Sequence, residues 1–234
     1  MGGGPYELYR ERYGAEILVM RKATKNDLDA ITRVIQAGFP DDPGCNYKFP
    51  YRDKYPEDFW KYTRRQYEEY LEQPEKFAFN VVTVTNEEAG LDDLPIAIGV
   101  WDIAVHIKAK GGDLFIDERR DGNREHMKAY AAAMERTFAK CFESYGKEQL
   151  HLWMLVTHPD FRQRGAGTRL CDWGVDESVR RGGWILTVMA SPMGRKLYEE
   201  LGYVLVGTDT ARVGGEEEHV VIDALEKPFS QPTI

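Results

Sequence analysis

The chain has 234 residues, and 31 Lys and Arg against 39 Asp and Glu leave a formal net charge of −8. A chain this acidic lacks the basic face that holds nucleic acid by bulk charge, so any phosphate handled here must be met by local groups. With 42% hydrophobic and 12% aromatic residues it is a globular protein of one large or two small domains, which excludes the disordered and fibrous classes.

The first strand is predicted at Glu16 to Arg21, followed by Thr24 as a helix N-cap and by Leu28, Ile31, Val34 and Ile35 at helical spacing. From Phe39 to Trp60, prolines at 40, 43, 50 and 56 forbid a continuous helix and predict a long loop. Asp58 to Leu71 reads as a second helix, and Phe77 to Thr85 and Pro95 to Val105 as strands joined through a turn rich in Asn, Gly and Asp. Lys108 to Asp121 reads as a surface excursion. Met127, Tyr130, Met134, Phe138, Cys141, Phe142 and Tyr145 then mark one face of a third helix. Leu150 to Thr157 is a strand, Gly165 to Arg181 a helix stopped by Gly182 and Gly183, and Trp184 to Met189 a strand. Ser191 caps a last helix with Pro192 at its first position and Gly202 past its end, before strands at Tyr203 to Val206 and His219 to Leu225. This order makes an α/β or α+β domain with a mixed sheet.

No apolar stretch reaches the roughly 18 residues that span a bilayer. The opening MGGGPYELYRER has no apolar signal core, and Tyr6 stands where a myristoylation signal wants Ser or Thr. Cys45, Cys141 and Cys171 are scattered without CxxC spacing, which indicates neither a disulfide framework nor a zinc site. The five histidines, at 106, 126, 151, 158 and 219, show no paired ligand spacing, so no metal is expected. The expected setting is cytoplasmic, with no membrane or nucleic-acid partner.

The chemistry is predicted between Pro159 and Thr168, where PDFRQRGAGT joins an apolar strand to an amphipathic helix. A strand turning tightly into a helix presents unsatisfied N–H groups and the positive end of the helix dipole, glycines admit a phosphate, and Arg162 and Arg164 add charge there. It is neither a P-loop, which ends in Gly-Lys-Ser/Thr, nor the dinucleotide fingerprint, which needs a third glycine. THPDFRQRGAGTRL resembles the acetyl-CoA signature of the GNAT superfamily of N-acetyltransferases, whose core reads Q/R-x-x-G-x-G/A. Arg162, Gln163, Arg164, Gly165, Ala166 and Gly167 fill it without a gap. About 30 residues on, SPMGRKLYEELGY resembles the family's helix that carries Leu-Tyr and ends in Gly and an aromatic. Ser191 stands where many members have Asn, Thr157 replaces the usual Val, and residues 107–121 are an additional insertion.

The resemblance implies one domain over residues 16–227, between an N-terminal extension (1–15) and a C-terminal tail (228–234). Its sheet would be mostly antiparallel in the N-terminal strands, with a parallel central pair splayed at the cofactor site. It implies acetyl-CoA as acyl donor, its pantetheine arm paired with the backbone of Leu155, Val156 and Thr157 as an added strand. Its phosphates would rest on Arg162 to Thr168, with Ser191 beside them. Tyr198 would be the general acid that protonates the leaving thiolate. For the base, His151 lies 11 residues before Arg162, where some members place a Glu. Asp102 and His106 are weaker candidates, and many members rely on ordered water instead. The implied activity is acetyl transfer to a small primary amine in a ternary complex. A protein acetyltransferase and an inactive CoA-binding sensor are the alternatives, as monomer or homodimer. The loop from Phe39 to Trp60 holds seven aromatics beside Asp41, Asp42, Asp53, Glu57 and Asp58, which suits a hydrophobic amine over lysine-rich peptides or polyamines.

Overall fold

The computed structural model describes residues 7–13, 15–105 and 115–229. The sequence holds two β-branched-rich runs before its first glycine-rich functional turn, and both become long antiparallel strands. Strands β1 (Glu7–Tyr13), β2 (Glu16–Lys22), β3 (Phe77–Asn86) and β4 (Leu91–Asp102) form an antiparallel meander. Residues 7–13, read from sequence as part of an extension, thus pair with β2 as a strand. β5 (Gln149–Thr157) runs antiparallel to β4 and parallel to β6 (Ile185–Ala190), and β8 (His219–Lys227) and β7 (Val204–Arg212) complete an eight-stranded sheet in the order 1-2-3-4-5-6-8-7.

Alternation along the strands sends successive side chains to opposite faces, and each face has its own helices. Phe77, Phe79 and Val81 pack with α1 (Leu28–Gly38) and α3 (Pro56–Leu71) on one face. That face is extended by α4 (Arg124–Cys141), whose Ala133 and Phe138 lie over β7 and β8. Val82 and Val84 meet α5 (Ala166–Arg180) on the other face, and Leu186, Val188 and Leu225 meet α5 together with α6 (Pro192–Glu200). The proline-rich loop is more ordered than its sequence suggests. Pro43 occupies the first turn of a short helix α2 (Pro43–Lys48), and the Asp42 side chain caps it by accepting from the amides of Gly44 and Cys45 at 2.7 and 3.2 Å.

The parallel pair opens part-way along. β5 and β6 are in register from Gln149–Ile185 to Leu152–Val188 and then part, while β5 stays paired with β4 as far as Thr157 opposite Ala97. The cause lies at Trp153: Val100 faces Met154 and Trp101 faces Leu152, so Trp153 is an extra residue in β5. Such a bulge bends and twists its strand. The Trp153 indole N–H donates to the Tyr70 hydroxyl at 2.6 Å, which holds the bend against α3.

Candidate active site

Beyond Leu152 the outer edge of β5 faces no strand among the described residues, and the space between it and β6 is the floor of a cleft of about 790 Å3. A cleft of that size suits a ligand in the range of several hundred Å3. It is lined by Leu155, Val156 and Thr157 of β5, by Arg162, Gln163 and Gly165 to Thr168 of the following turn, and by Ser191, Leu197 and Tyr198 at α6.

The turn presents backbone amides at the start of α5. Gln163 and Gly165 adopt left-handed backbone, at φ 61° and 81°, which turns the chain sharply into α5. The first bond of that helix runs from the Arg169 amide to the Gly165 carbonyl, so the amides of Ala166, Gly167 and Thr168 precede the ladder and point out of the helix end. Gly167 keeps the approach open: a Cβ there would lie 3.5 Å from Leu197 and 3.8 Å from the Thr157 hydroxyl, in the cleft itself.

The two arginines do not act as the sequence suggests. Arg162 bonds Asp41 at 2.8 Å and the Gly38 carbonyl at 3.1 Å, while Arg164 pairs with Glu16 and donates to the Asp160 carbonyl at 2.9 Å. Arg164 does not line the cleft. Both guanidiniums clamp the turn to the ends of α1 and β2.

Tyr198 is 6% exposed and lies on the cleft wall. Burial raises its phenol well above the usual value, and nearby Cys171 and Asp42 add to the effect. It therefore stays protonated and can donate. The Tyr203 ring packs edge-on at 5.6 Å and holds it in place.

His151 is corrected. It is 1% exposed, lies outside the cleft lining and is enclosed by Phe138, Phe142 and Trp153. The Thr187 hydroxyl donates to Gln149, so the imidazole N–H donates to Thr187 at 2.9 Å. Burial lowers its pKa to about 3, which fits a neutral core histidine and not a base. Asp102 is also fully buried, beside His151 in the ladder, and accepts from the Ala104 amide. His106 lies outside the described residues.

The opposite wall comes from the loop and from two helices. Of the loop's aromatics, Phe39, Phe49 and Phe59 line the cleft, and of the loop's five acids Asp42 does. Tyr47 instead stacks on His126 at 4.1 Å, and Tyr51 is exposed. Asp58 is held by Arg120 at 2.7 Å, which pushes its carboxyl far below the ordinary range. Sequence reasoning missed Thr63, Gln66 and Tyr67 of α3, and it read Tyr130 and Met134 of α4 only as part of one helix face. Their helical spacing is the same for a core face and for a cleft wall, so the pattern held no signal to separate the two. Met154 and Met189, on the separating ends of β5 and β6, complete an apolar chamber with Phe39, Phe49 and Phe59.

Residues 116–216 match the family model described as an acetyltransferase (GNAT) domain. An acetyltransferase of Stachybotrys chartarum is 25% identical over 199 residues, covering 80% of this chain and 81% of its own. The Drosophila melanogaster polyamine N-acetyltransferase, which forms N-acetylagmatine, has a similar fold, with a TM-score of 0.61 at 15% identity over 91% of this chain and 100% of its own. The mosquito arylalkylamine N-acetyltransferase-like 5b gives 0.57 at 17% identity, over 91% of this chain and 100% of its own.

Proposed function

We propose that the chain, whose residues 116–216 match the GNAT acetyltransferase domain, transfers an acetyl group from acetyl-CoA directly to the primary amine of a small molecule. The observation that carries this reading is the convergence, in one cleft, of a free strand edge, an uncapped helix N-terminus and a buried phenol.

Each part meets one requirement of acyl transfer. The edge from Trp153 to Thr157 offers backbone donors and acceptors to the amide groups of a pantetheine arm, and the α5 amides receive its phosphates. In this reading the thioester lies between β5 and β6, near Met154 and Met189, and backbone N–H groups of the unpaired stretch of β5 would donate to the oxyanion of the tetrahedral intermediate. As the carbon–sulfur bond breaks, sulfur keeps the electron pair and takes the Tyr198 proton, and the phenol is reprotonated from solvent.

The chamber beyond the thioester supports a hydrophobic acceptor. Its phenylalanines offer flat apolar surface and its methionines adapt to irregular bodies. Phenylalkylamines are therefore acetylated with higher kcat/KM than spermidine or a lysine-rich peptide, measured as thiol release across such a panel. A preference for spermidine or the peptide overturns the acceptor assignment, and CoA binding without thiol release from any amine overturns the enzymatic one. Tyr198→Phe keeps CoA affinity and lowers kcat by about 10- to 1000-fold. Unchanged turnover removes the general-acid role.

A further inference from the structure

We propose that Asp42 is the group that accepts the proton shed by the acceptor amine, a role resting on the acetyltransferase reading above. A nitrogen that bonds to the thioester carbonyl becomes positively charged and must lose a proton before the intermediate collapses to an amide. With His151 sealed in the core, the acceptor side of the cleft needs another acceptor for that proton.

Asp42 is half-buried in the cleft wall, in the turn between α1 and α2. Its Oδ1 is committed to the amides of Gly44 and Cys45, which fixes the carboxylate plane. Among the described residues, Oδ2 accepts no hydrogen bond and Asp42 forms no ion pair, unlike Asp41 and Asp58 of the same loop. The Asp42 charge also reaches the Tyr198 phenol, so the two groups act on one space. Cys45, Lys48, Tyr67, Arg119, Tyr130, Glu135, Arg162, Lys196, Tyr198 and Glu200 are the other ionisable groups on these walls. Arg162 is turned to Asp41, and the Lys48 ammonium lies against the rings of Phe49 and Tyr130.

The step balances without a further reactant. The neutral amine attacks, the nitrogen–carbon bond forms, and the nitrogen proton passes to Asp42 Oδ2. Collapse then breaks the carbon–sulfur bond, sulfur leaves with the electron pair, and Tyr198 protonates it. Asp42 returns its proton to solvent.

Asp42 also caps α2, so the test must separate charge from cap. Asp42→Asn and Asp42→Ser both keep a side-chain oxygen able to cap and remove the carboxylate, because Asn and Ser serve as N-caps about as well as Asp. Both variants are expected to melt like the parent, bind CoA like the parent, and lose about 100-fold or more in kcat on a phenylalkylamine. Parental kcat in either variant, or a rise in KM with kcat intact, overturns the proposal and leaves the acetyltransferase reading standing. A parent that acetylates no amine in the panel overturns both.

Discussion

At the residue scale, the two glycines of the phosphate turn do different work, although the signature treats them alike. Gly165 sits at φ 81°, and a Cβ there would meet nothing within 4 Å, so its role is conformational. Gly165→Ala is expected to lower stability by about 1 kcal/mol through left-handed strain, read from a denaturant midpoint. Gly167 has helical backbone, and its missing side chain is space in the cleft. Gly167→Leu is expected to keep the melting temperature near that of the parent and abolish CoA binding in a calorimeter. The reverse pattern, stability lost at 167 and affinity lost at 165, would show that the roles are exchanged. The resemblance identified both positions, but only backbone angles and neighbouring atoms separate them.

At the element scale, α5 carries the proposed phosphate-binding turn at its N-terminus, so its seat on the sheet sets where the amides of that turn lie. The contact is a small residue against the largest one. The fully buried Trp101 of β4 donates its indole N–H to the Leu170 carbonyl at 3.1 Å and lies under Gly174, where a Cβ would come within 2.3 Å of the ring. Gly174→Ala must therefore lift the helix or displace a tryptophan that has nowhere to go. It is expected to cost about 1–3 kcal/mol in a urea titration and to weaken CoA binding. A stable variant with parental affinity would mean that α5 seats elsewhere. Gly38, the last residue of α1, makes a similarly close approach: a Cβ there would lie 2.5 Å from Val156 of β5. Neither approach is visible in helical periodicity, which reports which face is apolar and not how near a partner comes.

At the scale of the whole molecule, the acceptor wall depends on a junction of segments far apart in sequence. The buried His126 at the start of α4 has Nδ1 at 2.9 Å from the Tyr47 carbonyl and Nε2 at 2.6 Å from Glu216, between β7 and β8. Both partners are acceptors, so both ring nitrogens must donate and the imidazole is held as the cation. Burial alone would lower its pKa, but Glu216 and the Tyr47 carbonyl outweigh burial and raise it. A raised folded pKa means that the stabilisation is complete below the unfolded value of about 6.5 and is lost as pH rises through the folded value. The urea midpoint is expected to fall on raising the pH through that window, and Glu216→Gln to flatten the fall. A midpoint whose pH dependence is the same in the variant would exclude the pair as its source.

The strand and helix order was legible in the sequence, because residues 16–105 and 124–225 obey the periodicities that burial on a sheet face or helix stripe imposes. The turn from Arg162 to Thr168 was legible too, since a sharp strand-to-helix turn demands glycine locally. Tyr198 was placed by its motif, and the cleft wall on which it lies follows from how α6 packs. Tertiary structure decided the rest, because charge and burial depend on partners distant in the chain. Arg162 and Arg164 found Asp41 and Glu16 and became clamps, while His151 met Phe138 of α4 and Phe142 just past its end and became core. Asp42, one of five acids in a loop, was singled out when its neighbours were paired or turned away and it alone among them was left on the wall of the opening that the bulge at Trp153 creates.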